Sequence, residues 1–287
     1  MSHQPSGLPR DLSGDLLALA TTVAREAAEL IRAGRPGDVA VAATKSSAID
    51  IVTQVDRDSE ELLRTRIREA RPDDGFLGEE GHDDAGTSGV RWVVDPIDGT
   101  VNFFYGIPQY AVSVAAERDG EVVAGIVLDV AKRVEYTAVR TGDGPDGVRS
   151  WRDGEPLGVR TEAPPLDRSL IGTGFHYTRE IRVLQAQAAA RLLPEIRDIR
   201  RLGSCALDLC HVAEGLLDGY VEEGVNPWDH AAGGLVAEGA GATVELTTGV
   251  GGETLMICAP APGFATLRDA VQTAGFLADP SRTPGNT

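Results

Sequence analysis

The chain has 287 residues, 42% of them hydrophobic, and a formal net charge of −17 at pH 7. That length and apolar share allow a large buried core, in one domain or in two closely packed halves. The acidic balance argues against nucleic-acid binding, which needs a basic face, and no run of about 18 apolar residues suggests a membrane span.

Residues 1–13 and 280–287 read as flexible tails around a single domain over 14–279, with an N-terminal half of about 14–150 and a C-terminal half of about 151–279. No charged-then-apolar leader opens the chain, so no signal peptide is expected. Leu16, Leu17, Ala20, Val23, Ala24, Ala27, Leu30 and Ile31 recur at helical spacing and predict an amphipathic helix ending near Gly34. Lys45 to Asp56 is an extended run, and Asp56 is expected to cap a helix from Arg57 to Ala70. Lys45 and Lys132 are the only lysines, against 25 arginines, which singles Lys45 out. Gly78-Glu79-Glu80-Gly81 sets two acids between glycines, and His82 to Gly89 reads as a polar, mobile segment.

Next comes Trp92-Val93-Val94-Asp95-Pro96-Ile97-Asp98-Gly99-Thr100. Pro96 fixes its own φ and holds Asp95 extended, so the chain turns sharply with both carboxylates near one point. Gly99 lets backbone approach a ligand, and a helix opening near Thr100 aims free N–H groups at an anion. The same string is also good turn chemistry, so other segments must decide. Carboxylates for a hard cation beside amides for a phosphate suit metal-assisted phosphate chemistry.

Strand-like runs follow at Tyr110 to Ala116, Val122 to Leu128 and Val134 to Ala138, separated by turn signals such as Arg118-Asp119-Gly120. Helices and strands then alternate: a strand near Leu170, helices over Arg179 to Leu193 and Ser204 to Gly215, and a strand at Asp218 to Val221. An Ala/Gly-rich helix runs from Asp229 to Glu238, with Asp229 as its cap, and a last helix spans Phe264 to Ala274. Early strands and later alternation predict α/β layers.

Three other patterns carry no site. Gly142-Asp143-Gly144-Pro145-Asp146-Gly147 fits a dinucleotide fingerprint in spacing, but it holds a proline and two acids and no helix pattern follows. Cys205, Cys210 and Cys258 form no CxxC and read as reduced, buried thiols of a cytoplasmic protein. The five histidines lack paired zinc spacing; His211 reads as a packed core residue.

Taken together, Lys45 to Asp56, Gly78-Glu79-Glu80, Asp95 to Thr100 and Trp228-Asp229 with Ala231-Ala232-Gly233 resemble the inositol monophosphatase family, above all its bacterial, actinobacterial inositol-1-phosphatase branch. The resemblance runs from about Leu16 to about Leu277. It implies a five-layer α-β-α-β-α sandwich and a magnesium-dependent, lithium-sensitive phosphomonoesterase acting on inositol 1-phosphate. It further implies two to three Mg²⁺ per site, held by Glu79, Asp95, the Ile97 carbonyl, Asp98 and Asp229. Asp56, Glu79 and Thr100 become the catalytic group acting on water, and Asp98, Gly99, Thr100, Ala206 and Glu222 the substrate contacts. The Val101-Asn102-Phe103 ending is similar to the inositol branch, whereas Asn226-Pro227 departs from the His-Cys of several members. The implied partners are a small phosphomonoester and a second copy of the chain in a homodimer, with neither nucleic acid nor membrane. Alternatives are fructose 1,6-bisphosphate, histidinol phosphate or adenosine 3′,5′-bisphosphate as substrate, or a metal-binding regulatory module without turnover.

Overall fold

The computed structural model describes residues 10–34, 41–44, 51–142 and 147–278. Lys45 to Asp50, most of the Gly142 to Gly147 string and the C-terminal tail from 279 onward lie outside the described residues, as do residues 1–9. Helix α1 (Arg10–Ala33) starts inside the stretch expected to be tail and ends, as expected, at Gly34. A two-stranded ribbon, β1 (Val41–Thr44) and β2 (Ile51–Thr53), leads into α2 (Gln54–Ala70).

Helix α2 begins three residues before the expected start. Thr53, not Asp56, is the N-cap: its side chain accepts from the Asp56 N–H, and the Asp56 carboxylate accepts the Thr53 N–H at 2.9 Å. This reciprocal box uses the acid at the third helical position and leaves its other oxygen for the site.

Then come β3 (Gly75–Gly78), β4 (Asp83–Asp84), β5 (Val90–Asp98), α3 (Thr100–Tyr105), β6 (Ala111–Arg118), β7 (Glu121–Asp129), β8 (Val134–Arg140), β9 (Val148–Arg152) and β10 (Glu155–Pro156). They form an eight-stranded sheet in the order β10-β9-β8-β7-β6-β5-β3-β4, in which only β3 and β5 run parallel. The second half supplies β11 (Leu170–Thr173), α4 (Arg179–Leu192), β12 (Asp198–Arg200), α5 (Cys205–Ala213), β13 (Gly219–Glu223), α6 (Pro227–Gly239), β14 (Ala242–Thr248), β15 (Thr254–Pro260) and α7 (Ala261–Ala274). Its five strands order as β12-β11-β13-β15-β14. Strands β9, β14 and β15 are absent from the sequence expectation, and α7 starts three residues early, behind Pro260.

The layers follow from which faces are apolar. Helices α1 and α2 cover one face of the large sheet, and α5 and α6 cover the other. The same two helices back onto the small sheet, whose far face carries α4 and α7. Four apolar clusters fill the four interfaces of this α-β-α-β-α stack. The middle layer has no solvent face over Cys205–Ala213 of α5 and Ala231–Ala237 of α6, all of which are buried. Their small residues permit this, since a Cβ on Gly125 of β7 would stand 3.1 Å from the Ala232 Cα of α6. Cys205, Cys210 and Cys258 are free and buried, and His211 is 6% exposed in the α5 core.

Candidate active site

Strand alternation explains half of the site and a bulge the other half. Along β5, Val94 packs into the α1–α2 core and Val93 into the α5–α6 core. Period two puts Asp95 on the Val93 side, and three residues on it would put Asp98 on the opposite side. The register prevents that: Asp95 pairs with Ser113 and Asp98 with Ala111, so three steps on β5 face two on β6. The one-residue bulge turns Asp98 back to the face of Asp95. An Asx-type turn supports it, with the Ile97 N–H donating to Asp95 Oδ1 at 3.0 Å.

Both carboxylates open into a cavity of about 390 Å³. Glu79, at the end of β3 parallel to β5, lines the same cavity, as does Asp229 in the first turn of α6. Helix α6 starts at Pro227 behind an Asn226 N-cap, and Asp229 accepts the Asn226 N–H at 2.6 Å, so the acid again sits at the third position and not at the cap. Asp98 is fixed from α5: its Oδ2 accepts Ser204 Oγ at 2.6 Å and the Ala206 N–H at 2.7 Å. Ala206 thus stands behind the wall, holding Asp98. Asp56, 0% exposed, also stands behind it and accepts the Thr100 hydroxyl at 2.8 Å. Thr100 and Gly99 line the cavity; Gly99 has φ +99°, and a Cβ there would lie 2.9 Å from the Gln109 carbonyl.

Glu222 lines the cavity wall, where the Tyr220 hydroxyl donates to its Oε2 at 2.6 Å. The two are two apart on β13 and share a face. Gly174 leaves room for the carboxylate, since a Cβ there would overlap it. Thr53 and Tyr220, together with Phe175, His176, Tyr177 and Arg201 on the cavity wall, are site residues that the sequence reading did not assign. Thr53 carried a signal, standing three residues before an acid as a capping box requires. Ser204 likewise opened an expected helix.

The electrostatics are one-sided. Among the described residues lining the cavity, Glu79, Asp95, Asp98, Glu222, Glu223, Asp229 and Glu253 face a single guanidinium, Arg201. Burial pushes Asp95 and Asp229 well above the usual carboxylate range, and the charges of Glu79 and Asp98 push both further. Burial lifts Asp98 to about 7 even though Ser204 and Ala206 hydrogen-bond to it. Burial also raises Asp56, against the bonds from Thr53 and Thr100. Buried like charges of this kind are tolerated when a cation shares them, and oxygen-only donors suit a hard one such as Mg²⁺. Among the described residues no three His, Cys, Asp or Glu side chains already form a ligand cage. The fit to a metal lies in the donor chemistry and in the excess of carboxylates over guanidinium on the cavity wall.

Comparison with known proteins gives the family. The model of the inositol monophosphatase family matches residues 14–273. The chain belongs to the inositol monophosphatase family. It is 47% identical over 266 residues to the inositol-1-monophosphatase of Mycobacterium bovis, covering 87% of this chain and 90% of that one. The solved structure of Mycobacterium tuberculosis SuhB superposes with a TM-score of 0.76 at 42% identity, covering 92% of this chain and 98% of that one. A protein of Pasteurella multocida named Nus factor SuhB is 38% identical over 232 residues, covering 80% of this chain and 84% of that one.

Proposed function

We propose that this protein hydrolyses inositol 1-phosphate to inositol and inorganic phosphate with Mg²⁺ as cofactor. The observation that carries the reading is the convergence of Glu79, Asp95, Asp98 and Asp229 on one cavity beside the Thr100–Asp56 pair. The residues to hold metal are those four carboxylates and the Ile97 carbonyl. Bound Mg²⁺ would supply Lewis-acid stabilisation of charge on the phosphoryl and leaving oxygens.

The chain's own groups do the remaining work. With its proton directed to Asp56 at 2.8 Å and not to the Ile97 carbonyl at 3.0 Å, the Thr100 hydroxyl can accept a proton from water. Asp56, held by Thr53 at one oxygen and Thr100 at the other, keeps that hydroxyl oriented and takes up the proton as water attacks phosphorus. The P–O bond to the alcohol breaks, and the inositol oxygen leaves with a proton from solvent. The N–H groups of Gly99 and Thr100 bind the phosphate. Asp98, fixed by Ser204 and Ala206, faces the alcohol from one side and Glu222 from the other. A carboxylate accepting hydrogen bonds from vicinal hydroxyls favours a polyol over a second phosphate, which it repels.

A phosphate-release screen over inositol 1-phosphate, fructose 1,6-bisphosphate, histidinol phosphate and adenosine 3′,5′-bisphosphate tests the reading. Inositol 1-phosphate is expected to give the highest kcat/KM, only with Mg²⁺ present and with inhibition by Li⁺; turnover that survives excess chelator overturns it. Glu222→Gln is expected to lower kcat/KM for inositol 1-phosphate by the loss of a charge-assisted bond, about 1.5–3 kcal/mol, and to affect p-nitrophenyl phosphate far less. A second reading, raised by the relative named Nus factor SuhB, is a metal-binding regulatory module without turnover. The net charge of −17 weighs against direct nucleic-acid contact, and a complete lack of phosphate release would favour this reading. A cytoplasmic homodimer, as in the family, accompanies the first reading, and size-exclusion chromatography with light scattering reads the assembly directly.

A further inference from the structure

The loop that presents Glu79 is fixed from behind by a residue that the reaction does not use. Glu60 of α2 is 0% exposed. Its Oε2 accepts the Glu80 N–H at 2.7 Å, and its Oε1 lies 2.5 Å from His82 Nδ1. The carboxylate has room because residue 78 is glycine: a Cβ there would overlap Glu60 Oε2. Two backbone bonds complete the frame, from the Gly78 N–H to the His82 carbonyl at 2.7 Å and from the Glu79 N–H to the Val94 carbonyl at 3.2 Å. The loop is therefore tied down just after Glu79 and again at residue 82, while Glu79 itself lines the cavity.

Glu60 follows Asp56 by four residues, and Ser59 follows it by three, so the three side chains share one face of α2. All three are buried, and each holds a different part of the site: Asp56 bonds Thr100, Ser59 Oγ reaches the Pro96 carbonyl at 3.4 Å, and Glu60 holds the Glu79 loop. An apolar residue would fill the place of Glu60 without the cost of burying a carboxylate, so a purely space-filling role does not account for it.

We infer that Glu60 is a positioning residue, with His82 as the outer half of the clasp, that fixes the depth of Glu79 in the cavity and thereby sets the affinity for divalent cation. The inference rests on the metal-dependent reading above. The test is calorimetric titration of the purified full chain with Mg²⁺ in the absence of substrate. Glu60→Met, which removes both acceptors at similar volume, is expected to weaken Mg²⁺ binding by roughly 10- to 100-fold, the usual effect of losing a group that orients a ligand. Glu60→Gln keeps one acceptor for the Glu80 N–H and is expected to stay within about threefold of wild type.

Glu60→Met binding as tightly as wild type overturns the clasp. Glu60→Gln as weak as Glu60→Met also overturns it, because the charge of Glu60 and not its hold on the loop would then set the affinity. If circular dichroism shows Glu60→Met unfolded, His82→Asn decides, being a change at a side chain 40% exposed. Weakening of at least about threefold supports the clasp, and unchanged binding overturns it. Wild-type protein that takes up no Mg²⁺ removes the metal-dependent reading and the clasp together. Wild-type binding with unaffected variants removes the clasp alone.

Discussion

In the proposed reaction, Asp95 is the side chain on which most of the chemistry depends. It is 1% exposed, its Oδ1 accepts the Ile97 N–H, and the charges of Glu79, Asp98 and Asp229 all act on it. Asp95→Asn keeps the volume and the turn but removes the charge at the centre of the cluster. Turnover is expected to fall on the order of 10³-fold or more, and steady-state phosphate release within tenfold of wild type would leave Asp95 as a turn residue only. Thr100→Ala removes the hydroxyl between Asp56 and the cavity. It is expected to lower kcat with little change in KM, since in the proposed reaction the lost group acts on the attacking water; a raised KM at unchanged kcat would move Thr100 to substrate binding.

At the level of elements, the site depends on backbone that leaves regular geometry for one residue at a time. The β5 bulge sets Asp98 beside Asp95, and Gly99 at φ +99° swings the chain into α3 directly after it. Gly99→Ala forces a Cβ toward the Gln109 carbonyl in a backbone region that side chains avoid, and is expected to cost about 1–3 kcal/mol, read as a lower urea midpoint. This is also where sequence and structure diverge. Asp95, Asp98, Glu79 and Asp229 are legible because acids stand at meaningful spacing beside glycine, proline or tryptophan in segments that occur together. The helix starts at Gln54 and Pro227 are not, because an acid at the third position of a capping box has the same local look as an acid at the cap. Strands β14 and β15 escape for another reason. Ala242–Thr248 is mostly half-buried at one edge, and Thr254–Pro260 is a short apolar run whose period cannot separate strand from helix. Glu60 is invisible in sequence, since an acid in a charged amphipathic helix reads as solvated until the fold buries it.

For the whole molecule, the layers make stability depend on pH through a residue that does not line the cavity. Burial holds the His211 imidazole below its ordinary value, against the pull of the Glu214 charge. The unfolded chain therefore takes up this proton before the folded one does. The contribution is full above the unfolded value of about 6.5 and is lost as pH falls below it. His211→Gln is expected to flatten the difference between urea midpoints measured at about pH 7.5 and about pH 5.5, and an unchanged difference would place the proton uptake elsewhere.

Helix α6 lies between the two sheets with Ala231–Ala237 buried on every side, and it carries Asp229 at its opening turn. That buried segment cannot open to water by itself, and opening it would disrupt both adjoining apolar cores at once. Its interior amides should therefore be among the last to exchange with deuterium, at rates that track global unfolding. Its first turn, where Asn226 and Pro227 are exposed, should exchange earlier, so that the peptide bearing Asp229 spans a boundary between the slowest and the faster amides of the protein.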